Sequence, residues 1–340
     1  MIDLFVKSGN ITEFRGIKKC EKPLEFSDFS VLIGKNNSGK SAILEALSLL
    51  PLPDPSYMLP YYKALRIELI AELHSGRPSL VYGYSGKAKL TFDVKGTTWN
   101  FFLTTDGRIS NFEISELVAK EGIMPNIAHK VARVLGIPLD TINLGDTLNS
   151  MVFFIPDDSS FIDKIAKNME NPENQNFITK TGAHTRVAQL INSCVDDKYS
   201  EVLFKPELSI RKELPENVLY IKVKDLGSGI EKLTSIFLWI EAIKPKLILW
   251  DDFEGSAHPL LIKQILNWLS EGISKNNWQV ILSTHSIDVL NSLLEVRPQN
   301  AEVIQVKKGK DDVLTHTKLV LDELETLFDA NQDPRILMGI

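Results

Sequence analysis

Cysteine is scarce: only Cys20 and Cys194 occur in 340 residues, far apart and outside any CxxC spacing. That excludes a disulfide framework and argues against structural zinc. No apolar run approaches the ~18 residues of a membrane span. The opening MIDLFVKSGN lacks the basic-then-apolar order of a secretory leader, so the cytoplasm is the expected location. The six histidines make no HxxxH or HExxH pair, which removes the usual imidazole-held catalytic metal. Positive charge is also short. A net charge of −6 leaves no overall basic footprint of the kind nucleic-acid binders carry, and the one local basic run, RGIKKCEK at 15–22, is expected as a solvated hairpin face.

What is present is ordinary globular composition, 44% hydrophobic and 24% charged, in a chain long enough for a large core. Residues 2–7 and 24–33 read as strands joined through an FRG turn at 14–16, and a helix follows residue 41 until PLPDP at 51–55. From 63 to 114, ALRIELIAEL, SLVYGY, AKLTFDV, TTWNFFLTT and RISNFEI alternate with turn-forming SGRP, SGK, KGT and TDGR. This predicts an antiparallel meander. Residues 116–150 read as mostly helical, 151–155 as a buried strand, and 159–195 as helix, polar linker (NPENQNFITKTG) and helix. Strands are expected near 201–212 and 217–224. Strict alternation then begins: helix 229–243, strand 246–250, helix 257–272, strand 278–283, helix 286–295 and strand 301–306, with an amphipathic helix in LVLDELETLFDA. That order implies an α/β fold with a parallel sheet.

The most specific stretch is GKNNSGKS at 34–41, a full G-x-x-x-x-G-K-[ST] between an apolar strand and a helix. Its glycines let backbone N–H groups curl around phosphates, and the following helix adds the positive end of its dipole. Lys40 would reach the β- and γ-phosphates and the Ser41 hydroxyl would take one position on Mg²⁺. A second stretch, LILWDDFEGSAHP at 247–259, runs a buried strand straight into Asp251, Asp252 and Glu254. Charge does not collect at a buried strand end without a positive partner. Mg²⁺, bound beside the γ-phosphate, would be that partner: Asp251 would hold the ion through water, since Mg²⁺ keeps much of its hydration shell. Asp252 would face the attacking water as base or orienter, with a helix N-cap or an outer place around Mg²⁺ as the competing assignments. Glu254 would aim at the loop or at a partner subunit. In VILSTHSIDVL, His285 sits just past another apolar run, at the rim where parallel strands present ligands, placed to donate to the γ-phosphate.

In order, GKNNSGKS, DLGSGIEKL, LILWDDFEGSAHP and STHS resemble the ABC-type ATPase superfamily, and within it the AAA-type ATPases of the RecF, SMC and OLD group. The resemblance spans essentially the whole chain, from the FRG turn to DELETLFDANQDPR at 322–335, and includes His-Pro at 258–259 where transporter subunits differ. It implies a P-loop fold of ABC type, a mixed sheet flanked by helices with an antiparallel β insertion and a helical subdomain. Residues 1–50 and 225–340 would form the ATPase core, and 51–224 the inserted lobe. It also implies that Gly34, Lys35, Asn36, Asn37, Ser38, Gly39, Lys40, Ser41 and Ala42 bind ATP. Ser41 and Asp251 would bind Mg²⁺, with Asp252 in the place of the catalytic glutamate and His285 as switch histidine. Leu226, Gly227, Ser228 and Gly229 would be the signature that caps ATP held by a second copy. A glycine-opened helix start is itself an anion site, and a symmetric dimer lets both starts be used. Asp157 or Asp158 stands where the family has its Q-loop, against a plain solvated turn.

Two departures matter. DDFE replaces the usual DEPE, and aspartate is shorter than glutamate by ~1.5 Å of reach, which implies slow hydrolysis and a long-lived ATP-bound dimer. No sustained heptads occur at 159–195, and no nuclease domain follows the ATPase, so a nuclease would be a separate polypeptide. The expected function is an ATP-switched homodimer in DNA repair, genome maintenance or phage and plasmid defence, acting on DNA or a separate effector. A slow nucleotide-sensing regulatory subunit is the alternative, and an importer subunit at a membrane is disfavoured by the β insertion.

Overall fold

The computed structural model describes residues 4–51, 58–115, 127–195, 197–204, 207–256 and 259–335. A sheet of twelve strands organises them. Its parallel half runs Ala301–Lys308, Phe29–Ile33, Gln279–Ser283, Leu247–Trp250 and Val152–Ile155. The last four of these are buried at every position, because helices cover both faces of a parallel sheet. That is why the sequence shows them as largely apolar runs, with Ser30, Gln279 and Ser283 as buried polar exceptions. On the other side the sheet continues as Val313–Val320, Ile17–Cys20, Val6–Phe14, Lys87–Val94, Thr97–Thr104 and Ile109–Ile114, with Leu24–Glu25 paired to Val6–Phe14. Lys87–Val94 alternates buried and open positions, the pattern of a sheet with one wet face. A buried amide fastens the two halves: Gln279 accepts from Val6 N–H at 2.9 Å and donates to Val6 C=O at 2.7 Å, as a neighbouring strand would.

Several expectations need correction. The meander is real only from residue 87 onward. Arg66–Glu72 is a helix, and 77–84 forms two short 3₁₀ turns, not a strand. The guanidinium of Arg66, 5% exposed, donates to the carbonyls of Ser48, Asn149 and Val152 and to Asn149 Oδ1. The polar linker is itself a helix, Pro172–Lys180, capped by Asn171 Oδ1 on Glu173 N–H at 2.9 Å. The first strand spans Val6–Phe14, and the FRG turn closes a hairpin with Ile17–Cys20. The span 199–222 carries three strands, Tyr199–Leu203, Ser209–Glu213 and Val218–Lys222, in a separate antiparallel sheet. An unexpected strand, Val313–Val320, pairs antiparallel with Ala301–Lys308. The helix that follows it, Leu321–Asp329, lies where expected.

Helix Ser228–Ile243 hooks onto the helical lobe through Trp239 Nε1 on Ile165 C=O at 3.2 Å and an Arg186–Glu241 ion pair at 2.7 Å. In helix Pro259–Asn276, Gly272 is obligatory: a Cβ there would sit 1.9 Å from the ring of Trp278. No helix among the described residues is long and apolar enough to cross a membrane.

Candidate active site

Four adjacent parallel strands end at one rim, and each contributes a loop there. Phe29–Ile33 feeds the phosphate loop, and Gly34 takes φ +148° at its start. A Cβ on Gly34 would lie 2.2 Å from the Val306 carbonyl, so the neighbouring strand passes directly beneath the loop. Gly39, at φ +102°, caps helix Lys40–Ser48 where a Cβ would press on Leu314. Lys35, Asn36 and Asn37 are open to solvent and Ser38 is buried. Lys40 Nζ donates to the carbonyls of Gly34 at 3.0 Å and Lys35 at 3.2 Å. Burial lowers its pKa, against the pull of Asp251, Asp252 and Glu254.

The acidic strand end is tied to the next strand through Ser283, which is 1% exposed. Ser283 Oγ donates to Asp251 Oδ1 at 2.5 Å and accepts from Asp252 N–H at 2.9 Å. Asp252 adopts φ +46°, which turns its carboxylate out of the strand line. It meets His285 Nδ1 at 2.7 Å through Oδ1. The aspartate and the histidine form a bonded pair, and Asp252 also directly precedes the 3₁₀ turn Phe253–Ser256. Glu254 meets the loop after the next strand: it accepts from Thr284 Oγ1 at 2.7 Å and His285 N–H at 2.7 Å, and lies 2.9 Å from His285 Nδ1. Nδ1 therefore faces two acceptor-only carboxylates and carries its hydrogen toward them. Burial and then Glu254 and Asp157 raise the Asp252 pKa, with His285 opposing.

The two Q-loop candidates separate. Asp158 accepts from Ser160 N–H at 2.6 Å and caps helix Ser159–Asn168. Asp157 turns toward the acidic rim. Loss of hydration, then Asp251, Asp158 and Glu254, raise its pKa, with His285 opposing. A carboxyl whose pKa is raised by folding stabilises the fold when protonated, and that contribution is lost as pH rises through the raised pKa. At neutral pH the rim therefore repels itself. Asp157→Asn is expected to raise Tm in metal-free buffer by about 1–2 °C and to shrink the stabilisation that added Mg²⁺ produces. Calorimetry with and without Mg²⁺ checks both; a lowered Tm would refute the repulsion.

The residues fit a magnesium nucleotide. Oxygen donors of Asp251 and Ser41 suit a hard cation, and the glycine cradle has no room for a Cβ. Asp252, Glu254 and His285 bring ligand atoms within 4.8 Å of one another, but their mutual hydrogen bonds already engage them.

Gly227 stands at φ +105° and opens helix Ser228–Ile243, with nothing within 4 Å of where a Cβ would be. Ser228 and Gly229 lie in that first turn, and Leu226 closes the preceding 3₁₀ turn. The Ala257-His258 pair lies outside the described residues, so the His-Pro expectation has no structural counterpart here.

Three contributors have weaker sequence signals. Arg15 of the FRG turn is not part of a solvated face: its Nε lies 3.0 Å from Glu45, which is 2% exposed on the helix after the phosphate loop. Lys18 and Lys19 are exposed as expected. Lys308 Nζ reaches Gly16 C=O at 3.1 Å, Asn37 Oδ1 at 3.4 Å and Asp312 at 3.2 Å, bridging turn, loop and hairpin. With Lys35 and Arg335 it lines a cavity of about 490 Å³ beside the phosphate loop. Only the fold brings these groups together.

Comparison with known proteins agrees. A family model described as "AAA ATPase domain" matches residues 5–94, and one described as "AAA domain, putative AbiEii toxin, Type IV TA system" matches 163–291. The Old nuclease of Escherichia phage P2 is 24% identical over 393 aligned positions, covering 95% of this chain. The chain spans 62% of that relative's length. An uncharacterized protein of Methanocaldococcus jannaschii is 31% identical over 70 residues, 21% of this chain and 61% of its own. Among solved structures, an SMC head bound to the C-terminal winged-helix domain of ScpA superposes with TM-score 0.58 at 18% identity, covering 95% of this chain and 99% of its own. The Thermotoga maritima SMC head gives 0.51 at 16%, covering 93% and 100%. At such identities the superpositions speak for the fold. Two AAA models, over residues 5–94 and 163–291, together with the fold, loop and strand-end chemistry, make this chain similar to the ABC/AAA-type ATPases of the RecF/SMC/OLD-like group.

Proposed function

We propose that the protein binds and hydrolyses Mg²⁺·ATP and that ATP closes a head-to-tail homodimer. The observation that carries this reading is the convergence of Lys40, the Ser283-bonded Asp251 and the Asp252–His285 pair at the ends of adjacent parallel strands. Residues 34–42 would cradle the phosphates, with Lys40 leaving the Gly34 and Lys35 carbonyls for phosphate oxygens. Ser41 and Asp251 would hold Mg²⁺, which when bound neutralises charge on the β- and γ-phosphates. Asp252 Oδ2, the oxygen not bonded to His285, would take the proton of the attacking water. His285 keeps its Nδ1 hydrogen toward Asp252 and Glu254, so donation from Nε2 to the γ-phosphate requires the doubly protonated ring.

Residues 1–50 and 225–340, with strand Val152–Ile155 and Asp157 beside them, form the catalytic core in this reading, and the remainder of 51–224 the lobe that reports its state. The start of helix Ser228–Ile243 would cap ATP held by the other copy. Size-exclusion chromatography tests this: Asp252→Asn should dimerise with ATP·Mg²⁺ and not without it, and adding Ser228→Arg should abolish the dimer. A dimer that persists with Ser228→Arg would refute capping in trans.

The setting would be DNA repair, genome maintenance or defence against phage and plasmids, as the motif resemblance to the RecF, SMC and OLD group implies. DNA-stimulated ATPase activity that falls steeply with salt would support it. The second reading, a slow nucleotide sensor controlling a separate effector, draws on the short Asp252 already engaged by His285. Co-purification of an effector without DNA stimulation would favour it.

A further inference from the structure

Several polar groups of the switch loop are held by other parts of the chain. Thr284 N–H donates to Leu32 C=O at 3.0 Å, in the strand leading to the phosphate loop. His285 N–H donates to Glu254. Ser286 N–H donates to Thr284 Oγ1 at 3.0 Å, and Ser286 Oγ caps helix Ile287–Val296 on Asp288 N–H at 3.1 Å. The His285 carbonyl is a further polar group of this loop. It precedes the N-cap, so the helix ladder supplies it no donor.

Its donor comes from the far end of the described chain. Arg335 Nη1 reaches the His285 carbonyl at 2.5 Å. The same guanidinium is clasped by Asp333, with Nε at 2.9 and 3.2 Å from the two carboxylate oxygens and Nη2 at 2.6 Å. The intervening Pro334 is pinned to the core: its carbonyl accepts from Nε2 of Gln305, 4% exposed, at 2.5 Å. Gln305 belongs to Ala301–Lys308, the strand that also passes under Gly34. The 333–335 turn thus joins the strand beneath the phosphate loop to the peptide that carries the switch histidine.

We propose that Arg335 is a positioning residue for His285, and that the Asp333–Pro334–Arg335 turn is a strap setting the orientation of the 285–286 peptide and so of the imidazole against Asp252. The proposal rests on the reading of His285 as a member of the active site. Without this donor the peptide is free to rotate, and a displacement of ~1 Å at a reacting group costs about 100-fold in rate. The phosphate loop keeps its own bonds, so nucleotide affinity should be spared.

The test pairs amide hydrogen exchange with kinetics on the full chain. Arg335→Ala should speed exchange at residues 284–288 by about fivefold or more and leave residues 34–42 unchanged. It should lower kcat by about tenfold or more with KM for ATP within about twofold. Arg335→Lys should recover part of both, since an ammonium can still donate to the carbonyl but loses the fork that fits Asp333. Unchanged exchange at 284–288 overturns the strap. So does a loss of ATP affinity without loosening of the loop, which would make Arg335 a direct nucleotide contact. General loosening and a lower Tm, unrescued by lysine, overturn it as well. If the wild-type protein hydrolyses no ATP, the ATPase reading fails, while the exchange arm still decides the strap.

Discussion

Asp252→Asn is expected to lower steady-state ATP turnover by about 100-fold or more, the contribution of a general base, with nucleotide binding retained. The geometry makes this variant informative. Asparagine preserves volume and can still meet His285 Nδ1 through its carbonyl oxygen, so the change removes the proton acceptor and little else. Wild-type turnover should itself fall below the ~10 s⁻¹ typical of enzymes, because aspartate is short and one of its oxygens is committed to His285. Unchanged turnover in the variant would remove Asp252 from the chemistry.

The pH profile should carry the same signature. A base works deprotonated, and burial plus the neighbouring Glu254 raise the Asp252 pKa. The acid limb of kcat/KM should therefore lie above the ordinary aspartate range, with activity rising through it. Metal-free stability should move the opposite way over that interval, because a carboxyl with a raised folded-state pKa loses its stabilising contribution as pH rises. Activity and stability that rose together would contradict the assignment.

The second large effect is expected from Gly34→Ala. The new Cβ would sit 2.2 Å from the Val306 carbonyl at a positive φ, and both obstacles are backbone, so no side chain can rotate away. Strain and overpacking together should cost about 2–4 kcal/mol. ATP affinity should fall by roughly 100-fold or more, since the loop can relieve the clash only by opening. Gly96→Ala is the control. Gly96 also has positive φ, +75°, but nothing lies within 4 Å of a Cβ there, so only the conformational strain of about 1 kcal/mol should appear. Calorimetry and nucleotide titration separate the two variants; equal effects would mean that loop packing does not set the requirement for glycine at 34.

Where the sequence was legible, one residue type had one physical purpose. The strand-to-helix loop at 34–41 could be read from its glycines because the backbone curvature requires them at 34 and 39. The parallel strands could be read because burial on both faces leaves mostly apolar residues. Arg66–Glu72 was not legible as a helix, since Ile67, Leu69 and Ala71 alternate like a strand while Ile67, Ile70 and Ala71 also share a helical face. Pro172–Lys180 buries only Ile178, so it lacks the apolar stripe that marks a helix, although Asn171 and Pro172 carry a capping signal.

The sequence by itself determined that a phosphate loop, an acidic strand end and a strand-end histidine lie in one chain, because each is a local pattern with a local cause. Only the tertiary structure decided which groups meet. Asp252 bonds His285 across 33 positions, Ser283 braces Asp251 across 32, and Arg335 holds the switch loop across 50. These pairings follow from strand order in the sheet, which depends on the packing of the whole chain and leaves no mark on the residues beside each partner.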